Sequence, residues 1–411
     1  MYYLYNLIVQ ISWFYLKIVA LFHSKIKLFV EGRKDAFVHL ERSIASSDRI
    51  FWIHVASLGE FEQGLPIIEK LRQEYPTHKI LVTFFSPSGY EIKKNSPVAD
   101  VIAYLPMDSV KNVVRFLKIV HPELAIFVKY EIWPNYLRHL KGKKIPTLLV
   151  SALFKKRQVY FKSYGGFMRK ALTAFHHIFV QDTASEHLLK AIGFKNISVS
   201  GDTRLDRVSE ILERDNTLEF MVKFKQNRLC MVAGSTWPED EALLIDFINS
   251  SQKNLKFVLA PHTLNSEKIL GLAGAFTKKT MLYTNLDLAT IGDCEVLIIN
   301  HIGLLTKIYS YADIAYVGGG FATGLHNTLE PAVFGIPVII GPRFKGFKEA
   351  EDLVGQKGIL TVSDRWSFGE LIKKMLDNPD FRRKTGAVNA AYIAKNKGAS
   401  VQIMNHIRKL L

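Results

Sequence analysis

Glu60 lies in "HVASLGEFEQG", directly after an apolar run and at the start of a helical stretch. A carboxylate at such a junction, facing a pocket, is a candidate general base for taking a proton from an acceptor hydroxyl. The same stretch, from Ser57 to Glu60, also matches S-x-x-E, a capping box that would only close the helix start. Both readings stand on these residues alone. Glu131 in "KYEIWPNYL" is a second acidic candidate, again after a strand-like run, with Trp133 and Pro134 reading as helix entry.

A different chemistry is written in "YVGGGFATGLHNTLEPAVFGIPVIIGP", residues 316–342. Gly318, Gly319 and Gly320 would let the backbone approach a ligand with no Cβ in the way. Neither G-x-G-x-x-G nor G-K-[ST] is met, so neither familiar phosphate fingerprint applies. His326, Asn327 and Glu330 are expected in the first turns of a helix, where unpaired N–H groups favour phosphate. Asn327 and Glu330, three apart, would share one helix face. Glu330 could then accept hydrogen bonds from two ribose hydroxyls; the competing reading is a polar helix-start device. Ser235 and Thr236 in "AGSTWPEDE" either cap a helix or offer hydroxyls to phosphate. His262 in "LAPHTLN" is a nucleotide contact or a capping histidine.

These residues need a frame. From Ile50 onward, short apolar runs such as "IFWIHVA", "KILVTFF", "DVIAYL", "ELAIFV", "IPTLLV", "HIFV" and "NISVS" alternate with helical stretches. Fully apolar strands alternating with helices predict a parallel sheet covered on both faces. The rhythm loosens over 201–227 and restarts with "LCMVAGS", "LKFVLA", "CEVLIIN", "ADIAYVGGG", "IPVIIGP" and "KGILTV". The expectation is an α/β protein of two doubly wound domains. Ligands of such sheets sit beyond the carboxyl ends of the strands, and the natural site is a cleft between the domains. The polar motifs all follow strands, as that requires.

Composition narrows the partners. The chain has 411 residues, long enough that two domains are the default. Its 54 Lys+Arg against 38 Asp+Glu give +16, which favours anionic partners. No basic low-complexity tail is present, so the charge is spread over folded surface and does not point to nucleic acid. Two cysteines, Cys230 and Cys294, make no metal constellation or disulfide framework. The opening "MYYLYNLIVQISWFYLKIVALF" is apolar and aromatic over about a membrane's thickness, interrupted by Asn6, Gln10 and Lys17 and followed by Lys25, Lys27, Arg33 and Lys34. It carries no small-residue cleavage site. It is expected to be a membrane anchor, inserted or interfacial, with the basic residues on the cytoplasmic side.

Taken together, "GRK", "HVASLGE", "TFFSPSG", "YLPMD", "EIWPN", "GDTRLD", "AGSTW" and "VGGGFATGLHNTLEPAVFGIPVIIGP", in this order, resemble the 3-deoxy-D-manno-octulosonic acid (Kdo) transferase family, glycosyltransferase family 30. The resemblance implies a GT-B architecture, two Rossmann-like domains facing a central cleft, with an N-terminal membrane-anchoring helix. It implies inverting, metal-independent transfer of Kdo from CMP-Kdo to the lipid A precursor (lipid IVA type) at the cytoplasmic face of the inner membrane. No cofactor beyond the CMP-Kdo donor is implied, and no nucleic acid. The expected domains are 1–35 (anchor), 36–205 (acceptor), 206–227 (linker) and 228–411 (donor), the last helix free to return to the first domain. Glu60 then matches the catalytic base, with Ser57 beside it. Glu131 and Arg33 match the sugar and acceptor side. Ser235, Thr236, Gly319, Gly320, Asn327 and Glu330 match the CMP side. Lys129 departs from the family's usual glutamate, "APH" from its "P-R-H", and "NHIGLL" from its "D-T-M-G-E-L". The lost arginine leaves His262 or Arg343 as stand-ins. The alternative is another membrane-associated GT-B transferase using a different nucleotide sugar.

Overall fold

The computed structural model describes residues 1–252, 254–322 and 324–411. The chain forms two compact units, Met1–Asp206 with Lys397–Leu411, and Arg207–Asn396.

The first unit is built on strands β1 (Ile50–Val55), β2 (Lys79–Phe84), β3 (Val101–Tyr104), β4 (Leu124–Val128), β5 (Thr147–Ala152), β6 (His177–Val180) and β7 (Ile197–Val199). They pair in the order β3-β2-β1-β4-β5-β6-β7, all parallel. Side chains alternate across a strand, so β1 sends Ile50 and Trp52 into one core and Phe51, Ile53 and Val55 into the other. Both faces are apolar because helices cover both. One of those covers is the last helix, Ala399–Leu410, whose Ile403, Met404 and Ile407 complete the second core. Asp206 holds it there, accepting from the backbone N–H groups of Gly398 and Ser400.

The second unit carries β8 (Leu229–Thr236), β9 (Leu255–Pro261), β10 (Thr280–Leu282), β11 (Val296–Ile298), β12 (Ile314–Val317), β13 (Val338–Ile340) and β14 (Ile359–Thr361). The order is β10-β11-β9-β8-β12-β13-β14, again parallel. The segment 206–227 is not an open linker. It folds into this unit through the helix Glu219–Lys225, which buries Phe220, Met221 and Phe224.

The N-terminal expectation is corrected in one respect. Residues Tyr2–Val19 form a helix, but among the described residues no helix is long and apolar enough to cross a membrane. The reason lies in its polar positions, which dock it along the first unit. Tyr5 donates to Asp108 (2.6 Å), Asn6 accepts from Asn135 (2.9 Å), and the Arg138 guanidinium lies 4.2 Å over the Tyr2 ring. The remaining face leaves Tyr3, Leu7, Ile11 and Phe14 exposed.

Candidate active site

In each sheet the strands to either side of one central point run outward by separate connections, β1/β4 in the first and β8/β12 in the second, and an open α/β sheet takes its ligands at such a switch point. In the first unit the switch lies between β1 and β4, and the two acidic candidates follow those strands. Glu60 occupies the third position of the helix Leu58–Glu74. Ser57 caps this helix, its Oγ accepting from the Glu60 N–H at 3.5 Å, while Glu60 Oε2 accepts from the Ala56 N–H at 2.5 Å. The capping arrangement therefore exists, the carboxylate also taking the Ser57 backbone N–H, and a carboxylate's roughly four acceptor sites leave capacity for a further donor. Glu60 is 7% exposed. Burial first, and then the charge of Glu131, raise its pKa from 4.5 to about 7, against the opposing pull of the Ala56 N–H and Lys129. A carboxylate poised there can take a proton near neutral pH.

Glu131 stands in the turn between β4 and the helix Pro134–Gly142. Its Oε2 is met by His54 Nε2 at 3.0 Å and receives the Trp133 indole N–H at 2.8 Å. Trp133 is thus more than helix-entry packing: it also stacks on Phe85 at 4.7 Å between centroids. Lys129, two residues earlier, adopts the left-handed conformation (φ 65°) rare outside glycine. Such a conformation persists only where surrounding packing holds it, and it often marks a functional turn.

Arg33 is placed differently from an open acceptor contact. It is buried, and its guanidinium donates to the backbone carbonyls of Leu105 (2.9 Å), Phe29 (2.9 Å) and Phe85 (2.6 Å) between the rings of Phe29, Phe85 and Tyr104. Burial lowers its pKa to about 9. Those partners make it a clamp that ties the N-terminal segment to the ends of β2 and β3.

In the second unit the switch lies between β8 and β12. Ser235 sits in a bulge of β8 with φ 55°, and Thr236 is buried, donating to Glu241 at 3.0 Å. The glycine triplet answers first to its own chain. A Cβ on Gly318 would lie 2.3 Å from the Ser235 carbonyl oxygen, and one on Gly320 would lie 2.7 Å from the backbone of Gly341. The Gly319 N–H donates to Asp240 at 2.8 Å. Asp240, fully buried, also accepts from the Tyr316 hydroxyl (2.6 Å) and the Trp237 N–H (3.0 Å).

The presumed helix after the glycines is a single turn, Leu329–Ala332, so His326 and Asn327 precede it instead of occupying its first turns. Asn327 and Glu330 do meet: the Asn327 amide donates to Glu330 Oε1 at 3.0 Å, and Thr306 donates to Oε2 at 2.9 Å. His262 stacks on Trp237 (4.8 Å, 17°) and lies 4.5 Å from His326, whose Nε2 accepts from the Trp237 indole at 2.8 Å. Burial, and then His262, lower the pKa of His326. Arg343, exposed, donates to the Ala322 carbonyl at 2.8 Å.

Sequence reasoning passed over His54, Asp240 and the Trp237–His326 pair. The available signals were a lone polar residue inside the apolar run "IFWIHV" and an acid four residues after the end of β8.

Two parallel seven-stranded sheets, each with its polar residues at a switch point, define an α/β protein of the GT-B-like class. The solved structures agree on the fold. UDP-GlcNAc 2-epimerase from Neisseria meningitidis matches with a TM-score of 0.60 at 14% identity, covering 88% of this chain and all of that one. MurG from Acinetobacter baumannii matches at 0.55 and 10% identity, covering 88% and 99%. Sequence comparison specifies the family. A family model described as 3-deoxy-D-manno-octulosonic-acid transferase (kdotransferase) matches residues 31–207. The 3-deoxy-D-manno-octulosonic acid transferase of Aquifex aeolicus is 30% identical over 325 residues, 77% of this chain and 83% of the relative. That of Haemophilus influenzae is 28% identical over 376 residues, 88% and 87% of the two chains. The chain belongs to the 3-deoxy-D-manno-octulosonic acid transferase family and is a glycosyltransferase.

Proposed function

We propose that this protein transfers Kdo from CMP-Kdo to the phosphorylated glucosamine headgroup of a lipid A precursor of the lipid IVA type, with inversion and without a metal. The observation that carries the reading is Glu60: a buried carboxylate at the sheet's switch point, its pKa raised to about 7 by burial and by Glu131. Glu60 takes the acceptor hydroxyl's proton as the oxygen attacks the anomeric carbon from the face opposite CMP. Glu131 and Ser57 border the sugar, and Arg33 holds the segment that frames it. On the donor side Ser235, Thr236, Gly319, Gly320, His262 and Arg343 surround the phosphate. Glu330 and Asn327 take the ribose: a carboxylate offers about four acceptor sites, so the bonds from Asn327 and Thr306 leave room for ribose hydroxyls. Positive groups there stabilise the charge that develops on the departing phosphate.

The acceptor comes from a lipid surface, the cytoplasmic face of the inner membrane. Exposed Tyr3, Leu7, Ile11 and Phe14 give the Tyr2–Val19 helix the form of an interfacial helix. A hollow of about 440 Å³ beside it is lined by Arg138, Lys141 and Lys170, cations suited to anionic headgroups. The net charge of +16 suits a donor, an acceptor and a surface that are all anionic.

Incubating the detergent-solubilised protein with lipid A precursor and CMP-Kdo generated in situ should add one or more Kdo masses to the lipid, and chelation should not reduce the yield. Transfer from a UDP- or GDP-sugar in place of CMP-Kdo would establish the alternative transferase.

A further inference from the structure

His54 is the one polar residue of β1, fully buried on the same sheet face as Trp52. A buried polar group persists only where its hydrogen bonds are made, and here they form a directed chain. The Trp52 indole donates to Thr83 Oγ1 at 2.8 Å. His54 Nδ1 lies 2.9 Å from that same oxygen and 3.1 Å from the Thr83 carbonyl oxygen. At the other end His54 Nε2 faces Glu131 Oε2 at 3.0 Å. An unprotonated Nε2 would set two lone pairs against each other unless Glu131 were itself protonated. The Trp133 N–H does not resolve that, since it lies closer to Glu131 (2.8 Å) than to His54 Nε2 (3.1 Å). The Glu131 contact calls for a proton on Nε2; at Nδ1 the Thr83 hydroxyl can donate or accept, while the Thr83 carbonyl can only accept.

We propose that His54 is a positioning residue for the transfer reaction: by donating from Nε2 to Glu131 it holds that carboxylate in place beside Glu60. The proposal rests on the reading of Glu60 as the base. Through Glu131 it makes the ionisation of the base depend on a residue buried in the sheet. The groups that bear on Glu60 are Glu131 and Lys129 from the turn after β4, together with Tyr130, whose phenol is in turn influenced by Arg157 and Asp182. Tyr160 faces Glu131. Only Glu131 among the charged groups raises the base, and only it is bonded to His54. Removing its charge lowers the pH at which Glu60 ionises.

The test is kcat/KM for Kdo transfer from about pH 5 to 9 in wild type, His54→Phe, His54→Gln, Glu131→Gln and the His54→Phe/Glu131→Gln pair. Glu131→Gln and His54→Phe should each move the acid limb to lower pH by about one unit and cut the plateau roughly tenfold or more. The pair should move it no further than Glu131→Gln alone, because both act through one carboxylate. His54→Gln, whose amide can still donate to Glu131, should keep the wild-type limb. An unmoved limb in folded His54→Phe, additive shifts in the pair, or an unmoved limb in Glu131→Gln would each overturn the proposal. Nitrogen-15 NMR of wild-type His54 needs neither variant nor turnover: a protonated Nε2 supports the proposal, and a bare Nε2 overturns it. Wild-type protein that transfers no Kdo, or Glu60→Gln that keeps full activity, would instead remove the base reading itself.

Discussion

The two units solve the same topological problem with opposite chemistry. At the switch point of the first sheet, a carboxylate is buried with one oxygen bonded to a backbone N–H and a second carboxylate close enough to raise its pKa. At the switch point of the second, the acids are tied to their own chain: Asp240 by Trp237, Gly319 and Tyr316, which makes it a brace, and Glu330 by Asn327 and Thr306, which orient it with acceptor sites to spare. Burial without full pairing leaves a group reactive, whereas burial with full pairing makes it a brace. On the proposed reading the difference puts proton transfer in the first unit and a preshaped loop in the second.

The largest effect should come from removing the reactive side. Glu60→Gln should lower transfer by roughly 10²–10⁴-fold, the usual contribution of a general base, while CMP binding measured by calorimetry stays at the wild-type Kd. Lost CMP binding in a folded variant would blur the division between the units. Next comes the brace: Asp240→Ala leaves three buried donors without their acceptor and should cost roughly 3 kcal/mol or more in chemical denaturation. CMP affinity should fall with it, since Gly319 and Trp237 lose their shared anchor. A variant of wild-type stability would show that the loop does not depend on Asp240.

Comparable in size but opposite in sign is the stability cost of the reactive carboxylate. Its folded pKa of about 7 exceeds the ordinary 4.5. Its contribution to stability is therefore full below the unfolded pKa and lost as pH rises through about 7. Glu60→Gln, neutral throughout, should gain on wild type between about pH 4.5 and 8 by up to about 3 kcal/mol. A pH-independent difference would contradict the raised pKa. The smallest effect belongs to the cap: Ser57→Ala should cost about 1 kcal/mol in thermal denaturation. A far larger loss of activity than of stability there would give Ser57 a part in the sugar site.

Much of this frame was legible because fully buried parallel strands are continuous apolar runs, and thirteen of the fourteen strands were visible as such. The missed one, β10, has three half-buried residues at a sheet edge, where no such run is needed. Glu60 was legible as a base or a cap, and the structure shows the cap formed on a carboxylate that burial and Glu131 push to a pKa of about 7. Asn327 and Glu330 were legible as a pair, but not the single-turn helix, which ends before Gly335 with φ 67°. Asp240 was hidden because two of its three partners, Tyr316 and Gly319, lie in or just after β12, a neighbour created only by sheet pairing. His54 was hidden for the same reason: Thr83 and Glu131 lie 29 and 77 residues away along the chain. The N-terminal segment was legible as an apolar helix but not in its mode: of the inserted and interfacial forms expected, the inserted one is not met, because among the described residues no helix is long and apolar enough to cross a membrane.

The most direct test of the central claim is the pH dependence of wild-type kcat/KM for Kdo transfer from CMP-Kdo to the lipid acceptor. A buried, Glu131-coupled Glu60 predicts activity rising through a single ionisation near pH 7 and then levelling. A profile flat from about pH 5 upward would mean that the base ionises like an exposed carboxylate, and would contradict the account.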